Sequence, residues 1–139
     1  DFTYKPKTGY HLESITVDDE NVPIDTNKDF YEFKSVKAPH HIKVVYEINK
    51  YKIKTDVVGG TIDESKNDVP YGSDETIHYK PQEGYHLVSV TVDGQSEPID
   101  NFKSSYPFDD IRSDHEIKVV YEINKYKQLN DTQKKKGSK

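Results

Sequence analysis

The sequence contains no cysteine, no methionine and no tryptophan. Without cysteine there is no thiol nucleophile, no thiolate-bound zinc and no disulfide. The compartment stays open on that ground, because many exported proteins manage without disulfides. Without methionine, and starting at Asp1, the chain reads as a mature form or a fragment. No apolar run approaches the roughly 18 residues that cross a bilayer as a helix, and no leader is visible. A basic excess is missing too. Lys and Arg number 20 against 25 Asp and Glu, a formal net charge of -5, which disfavours nucleic acid as a partner. Hydrophobic and charged residues each make up 32%, a balance that borders on disorder. The 11 Tyr and 5 Phe, set in short alternating runs, argue instead for folded strands.

What the sequence does have is a repeat. The segment Tyr4–Lys52 aligns without a gap to Tyr79–Lys127, and about 29 of the 49 aligned positions are identical. A period of that kind is the mark of a tandem architecture. The stretch from Ile53 to Glu75 has no counterpart ahead of Asp1. Residues 1–49 are therefore read as a first copy truncated at its N-terminus, 50–125 as a complete second copy, and 126–139 as a basic, polar tail or linker. The tail is either native or an expression scar.

The alternation within each copy has period two, the signature of strands. Ile42, Val44, Tyr46 and Ile48 share one face, as do Ile117, Val119, Tyr121 and Ile123. Tyr51, Ile53, Thr55 and Val57 follow, with Lys50, Lys52 and Lys54 opposite. Ile77 and Tyr79 match Phe2 and Tyr4. Val88, Val90 and Val92 make a further face, and Glu13 in place of Val88 puts that position near a rim. Gly59-Gly60 reads as a hairpin turn. Pro6–Gly9 and Pro81–Gly84 mark a loop. Asp93-Gly94 is a tight turn, and Asp18-Asp19 stands there in the first copy, which predicts strain or a different turn type. At most one short helical turn is expected, between Asn101 and Ile111. The predicted fold class is all-β: two tandem small β domains, β-sandwich-like or β-grasp-like, without a substantial helix. Each complete copy would bury only about 60 to 65% of its unfolded surface, so neighbouring copies should stabilise one another.

Pro81, Gly84, Tyr85, Val90, Val92, Asp93, Gly94, then Tyr106, Phe108, Ile111, His115, Ile117, Val119 and Tyr121 form a recognisable series. The first copy carries Pro6, Gly9, Tyr10, Ile15, Val17, Asp18, then Tyr31, Phe33, Val36, His40, Ile42, Val44 and Tyr46. As a set these resemble the divergent internalin-type B-repeat of Gram-positive surface proteins. The resemblance implies a small β module of a secreted or cell-wall-attached protein, with no shared catalytic residue. Some such arrays contact host glycans or proteins, and many are spacers.

Other constellations have plainer readings. The six histidines, His11, His40, His41, His78, His86 and His115, lack the fixed short spacings of a zinc site. His40 and His115 recur just before the last strand and read as turn residues bonding the backbone. Asp18/Asp93 and Asp25/Asp100 also recur, in predicted turns where Asp is favoured. They are not read as the carboxylate pair that glycoside hydrolysis would place about 5 to 10 Å apart. No DxDxDG loop supports calcium. Lys5/Lys80 and Asn49/Asn124 repeat on strands and would permit a Lys–Asn cross-link, although solvated side chains are the plainer reading. Tyr51, Tyr71, Tyr85, Tyr106 and Tyr126 are the candidate ligand contacts, as a sugar-stacking surface. The expectation is thus a module that is no enzyme and uses no metal or cofactor. It acts as stalk or spacer, possesses adhesive potential toward a host glycan or matrix protein, and has neighbouring copies of itself as its first partners.

Overall fold

The computed structural model describes residues 2–31 and 39–125. Phe33, Val36, Tyr126 and the tail 126–139 lie outside the described residues. The fold is all-β: among the described residues there are thirteen strands and no helix. In chain order they are β1 (Phe2–Thr3), β2 (Tyr10–Val17), β3 (Glu20–Val22), β4 (Phe30–Tyr31), β5 (Ile42–Ile48), β6 (Lys50–Val58), β7 (Gly60–Ile62), β8 (Lys66–Pro70), β9 (Glu75–Pro81), β10 (Tyr85–Val92), β11 (Gln95–Ser96), β12 (Ser105–Phe108) and β13 (His115–Ile123). They form four sheets: a five-stranded sheet ordered β11-β10-β13-β6-β8, a three-stranded sheet β12-β9-β7, a three-stranded sheet β3-β2-β5 and a pair β1-β4.

The duplication reappears in the strand registers. Strand β2 pairs antiparallel with β5 from Tyr10↔Ile48 to Val17↔Ile42, with an irregularity between Leu12 and Ser14. Strand β10 pairs with β13 from Tyr85↔Ile123 to Val92↔Ile117, with the same irregularity between Leu87 and Ser89. Every pair is displaced by the repeat offset, because identical alternation specifies identical register.

The irregularity is a β-bulge, and it corrects the sequence-based face. A bulge inserts one residue and reverses the alternation beyond it. Leu87, Val90 and Val92 are therefore the buried residues, while Val88 sits in the bulge and is only half-buried. Ile123 departs as well. It was expected to face inward and is 54% exposed, at the end of β13.

The Gly59-Gly60 turn is not a hairpin. Strand β6 belongs to the five-stranded sheet and β7 pairs with β9 in another, so the two glycines carry the chain from one sheet to the next. Gly59 has φ +78, which L residues seldom adopt. A Cβ on Gly60 would lie 2.2 Å from the Lys80 carbonyl oxygen. Between Asn101 and Ile111 there is one short turn, closed by the Lys103 N–H donating to the Asp100 carbonyl at 3.1 Å, and then a strand, β12. Strand β8 carries Asp68 at φ 60 and ends on Pro70, residues that disguise a strand in the sequence.

Asp18-Asp19 does form the same turn as Asp93-Gly94. Both φ values are positive in each, 51 and 68 against 51 and 79, and each joins strands through a two-residue loop, Val17↔Glu20 and Val92↔Gln95. Positive φ at both central residues is the requirement of a type I′ hairpin turn. Asp19 therefore holds the left-handed conformation that Gly adopts freely in the other copy. Asp19→Gly is expected to stabilise the chain by about 0.5 to 1 kcal/mol, measured as a rise in urea midpoint. No rise, or a fall, would contradict the strain argument.

The chain divides into two compact units. One comprises Asp1–Lys54, Ser65–Thr76 and Pro107–His115, the other Thr55–Glu64, Ile77–Tyr106 and Glu116–Lys139. The first has its core in Ile15, Ile53, Val69, Phe108 and Ile111; the second in Ile77, Tyr79, Leu87, Val90, Val92, Ile117, Val119 and Tyr121. Within the first unit the two sequence copies meet. The Asn49 N–H donates to the Gly9 carbonyl at 2.7 Å, and the Tyr71 N–H donates to the Asn49 carbonyl at 2.8 Å. The Tyr71 ring lies against Gly9 so closely that a Cβ there would sit 2.3 Å from it.

Candidate functional site

The same groove occurs once in each copy. In the first, Tyr4, Pro6, Tyr10, His11 and Leu12 face the turn Ile24–Asp29 across a groove of about 550 Å³. In the second, Tyr79, Pro81, Tyr85, His86 and Leu87 face Asn101–Ser104 across about 380 Å³. Each wall begins at the Pro-to-Gly loop and runs into the first residues of β2 or β10. The opposite wall is a turn pinned by an aspartate. Asp25 Oδ1 accepts the Asn27 N–H at 2.9 Å, and Asp100 Oδ1 accepts the Phe102 N–H at 2.9 Å. These aspartates thus cap their own turn, as short polar side chains do.

The grooves share a lining of Tyr, His, Pro, Leu and Lys, but Asp25 and Asp29 line only the first, and the rims differ. Phe102 is fully exposed where the first copy has Asn27. Tyr10 and Ile24 are 40% and 41% exposed at the first groove. In each groove one imidazole is held by an asparagine: His11 Nδ1 lies 2.8 Å from Asn49 Oδ1, and His86 Nδ1 lies 2.7 Å from Asn124 Oδ1. With a carbonyl oxygen as partner, Nδ1 is the donor in each pair. Those asparagines are the ones considered for a cross-link. Their amide oxygens are engaged by histidine, and Lys5 and Lys80 are exposed to solvent.

A smaller cavity also recurs. Tyr106 lines one of about 130 Å³ with Tyr79, Leu87 and Val90, and Tyr31 lines its counterpart of about 350 Å³ with Tyr4, Ile15 and Val22. Burial raises the Tyr106 phenol above its ordinary value, with Glu97 and Asp93 adding to it. Burial likewise raises Tyr4, with Asp25 and Asp29 adding. Tyr121, also by burial and then by Tyr79, is pushed up to about 12. A phenol whose folded value exceeds its unfolded one stabilises the fold fully below about pH 10 and ceases to do so as pH rises through its folded value. Alkaline unfolding is therefore expected between about pH 10 and 12, with Tyr121 contributing on the order of 2 to 3 kcal/mol. Tyr121→Phe should flatten that loss in a pH series of urea melts. An unchanged profile would assign the loss to other groups.

Of the tyrosines singled out from the sequence, Tyr85 lies in the groove and Tyr106 in the separate smaller cavity. Tyr51 is half-buried on β6 opposite Val69. Tyr71 packs on Gly9 and under the Arg112 guanidinium, 5.2 Å from the ring centroid. The four described tyrosines are thus spread over separate places. Sequence reasoning missed Tyr4, Tyr10, His11, Lys28 and Phe102 as groove residues. The available signal was the recurrence of Pro, Gly, Tyr and His beside a second recurring block, Pro-Ile-Asp.

The other histidines have specific partners. His40 Nδ1 lies 2.6 Å from Asp18 Oδ2, and the His41 N–H donates to Asp18 Oδ1 at 2.8 Å. His40 thus meets a carboxylate, where the sequence suggested a backbone contact. The His41 N–H, and then His40, hold Asp18 below the ordinary carboxylate value. In the second copy Asp93 Oδ1 accepts the Glu116 N–H at 2.8 Å, and the His115 ring lies 4.9 Å from that of Phe108. His78 Nδ1 lies 3.0 Å from Asp63 Oδ2. Among the described residues, His11, Glu13 and Glu47 bring ligand atoms within 4.8 Å of one another, all exposed. Val88 replaces Glu13 in the second copy. No helix of the described residues is long and apolar enough to cross a membrane, which leaves β-barrels aside. No family model, curated protein or solved structure matches this chain.

Proposed function

We propose that the chain is a non-catalytic repeat module of a bacterial cell-surface protein, secreted or wall-attached, acting as a stalk or spacer. The observation that supports this reading is the contact between Gly9, Asn49 and Tyr71. The second copy carries the matching Asn and Gly, Asn124 and Gly84. The Asn124 N–H donates to the Gly84 carbonyl at 2.7 Å, as the Asn49 N–H does to Gly9. Gly84 has φ +82 like the +85 of Gly9, and nothing lies within 4 Å of a Cβ built there. The site that Tyr71 fills at Gly9 thus recurs, open, at Gly84. A joint whose donor and acceptor halves are both encoded in one repeat propagates along an array, and nearest-neighbour contacts then stabilise each member. The resemblance to B-repeats of Gram-positive surface proteins agrees with this reading.

The test is a series of chains with one, two and three further copies appended after Lys125. Their radius of gyration from small-angle scattering is expected to rise in near-equal steps, and thermal stability with it. Independent tumbling of the copies, or stability unchanged by length, would refute the spacer reading.

A second reading, adhesion, is favoured by the recurrence of the groove. Tyr and His beside Lys suit a host glycan or an extended peptide, and two grooves on one chain raise avidity without new contacts. A glycan array and a pull-down with matrix proteins, compared between the wild type and Tyr10→Ala/Tyr85→Ala, test it. Binding that survives loss of both tyrosines would place any ligand elsewhere.

A further inference from the structure

The pairing of β2 with β5 gathers three metal-ligating side chains from two separate stretches of sequence. His11 and Glu47 stand opposite each other in the register. Glu13 sits in the bulge between Leu12 and Ser14. A bulge re-aims the side chains around it: Glu13 stays on the water side with His11, while Ile15 beyond it turns inward. One ligand atom from each of His11, Glu13 and Glu47 lies within 4.8 Å of the other two. The imidazole is aimed from outside this group. His11 Nδ1 donates to Asn49 Oδ1 at 2.8 Å, and the opposite nitrogen, Nε2, lies 3.8 Å from Glu13 Oε2. A hydrogen bond at the far nitrogen is what orients the imidazole of a metal-ligating histidine. The second copy repeats the histidine, its asparagine and the facing glutamate, as His86, Asn124 and Glu122. At its bulge it carries Val88 instead of a carboxylate.

We propose that His11, Glu13 and Glu47 bind one zinc-class divalent cation on the surface of the first copy. One imidazole nitrogen and two carboxylates are a donor set that zinc accepts, and two carboxylates balance the charge of the ion. A zinc ion stands about 2.0 to 2.2 Å from such ligands, so their atoms end about 3.3 to 3.6 Å apart. Solvent-facing side chains close that remaining distance by rotating. Three protein ligands leave the fourth position to water. The imidazole selects against calcium and magnesium, which take oxygen ligands. The Lys50 ammonium, 3.7 Å from Glu47 Oε1, is the cation the ion displaces, and an exposed pair of that kind is weakly held. Histidine spacing in the sequence argued against zinc because it cannot register a carboxylate from the facing strand. The site uses neither the groove tyrosines nor the joint at Gly9, so it stands whether the chain is a spacer or an adhesin.

The test titrates zinc chloride into the full 139-residue chain, free of any affinity tag, by isothermal calorimetry, with the histidine ring signals followed by NMR. One zinc per chain is expected, with the His11 ring shifting and the His86 ring unmoved. His11→Ala and Glu13→Gln, both at exposed positions, should each weaken binding at least about tenfold. Val88→Glu gives the second copy the residue that the first already tolerates at its bulge, and should raise the stoichiometry to two. Excess calcium chloride should leave the zinc isotherm unchanged. Four results would each overturn the proposal: no zinc bound at millimolar concentration, undiminished affinity in Glu13→Gln, a shift of the His86 ring in place of His11, or displacement of zinc by calcium, which would reduce the cluster to general attraction between carboxylates and cations. A Val88→Glu chain that keeps its urea midpoint yet binds a single zinc would also overturn it.

Discussion

Replacing Gly60 with alanine is expected to unfold the second copy, at a cost of about 4 kcal/mol or more. The new Cβ would stand 2.2 Å from the Lys80 carbonyl oxygen and 2.7 Å from the Tyr121 ring. Neither can withdraw easily. Residue 60 is itself paired with Pro81 at the start of the β7–β9 ladder, and Tyr121 is 4% exposed in the core. A small domain has only about 5 to 15 kcal/mol of stability to lose. Gly84→Ala is the control. It too has positive φ, but the space around it is open, so its cost is limited to backbone strain of about 1 to 2 kcal/mol. Urea denaturation of both variants makes the comparison. Equal midpoints would show that the chain does not pass between sheets as tightly as the geometry requires.

The second large effect sets the two copies against each other. Ile117→Ala should cost about 3 to 4 kcal/mol, because it empties a site that is 1% exposed and cannot collapse freely. Ile42→Ala removes the same atoms from the same strand sequence. It should cost about 1 kcal/mol, because the half-buried side chain has already kept part of its contact with water. The ratio, read by denaturation of the two single variants, measures how much β6 and β7 contribute to one copy and not to the other. Equal costs would mean that the β5 face is covered as fully as that of β13.

Much of the fold was legible in residues that alternate. Lys50–Val57 alternates charge with Tyr, Ile, Thr and Val, and the structure leaves the charged set exposed, buries Ile53 and half-buries Tyr51, Thr55 and Val57. Asp93-Gly94 announces its turn because glycine takes positive φ without strain, and Asp18-Asp19 follows by alignment. The groove was harder to see. Its two walls are far apart in the sequence, and a period-two pattern says which face a side chain takes but not which turn folds back over it. Tyr85 was named on grounds of residue type alone, and Tyr51 and Tyr71 on the same grounds lie elsewhere.

The amino-acid sequence by itself determined the strand class, the duplication and the common register, because alternation and repetition act locally and a one-residue slip would invert every side chain. Only tertiary structure decided three things. The bulge turned Leu87 inward in place of Val88, the glycine pair led into a different sheet, and of two identical strands β13 was flanked on both sides while β5, among the described residues, was paired with β2 alone. Each depends on which strand lies alongside, and that is a property of neighbours distant in the chain, invisible to any local pattern.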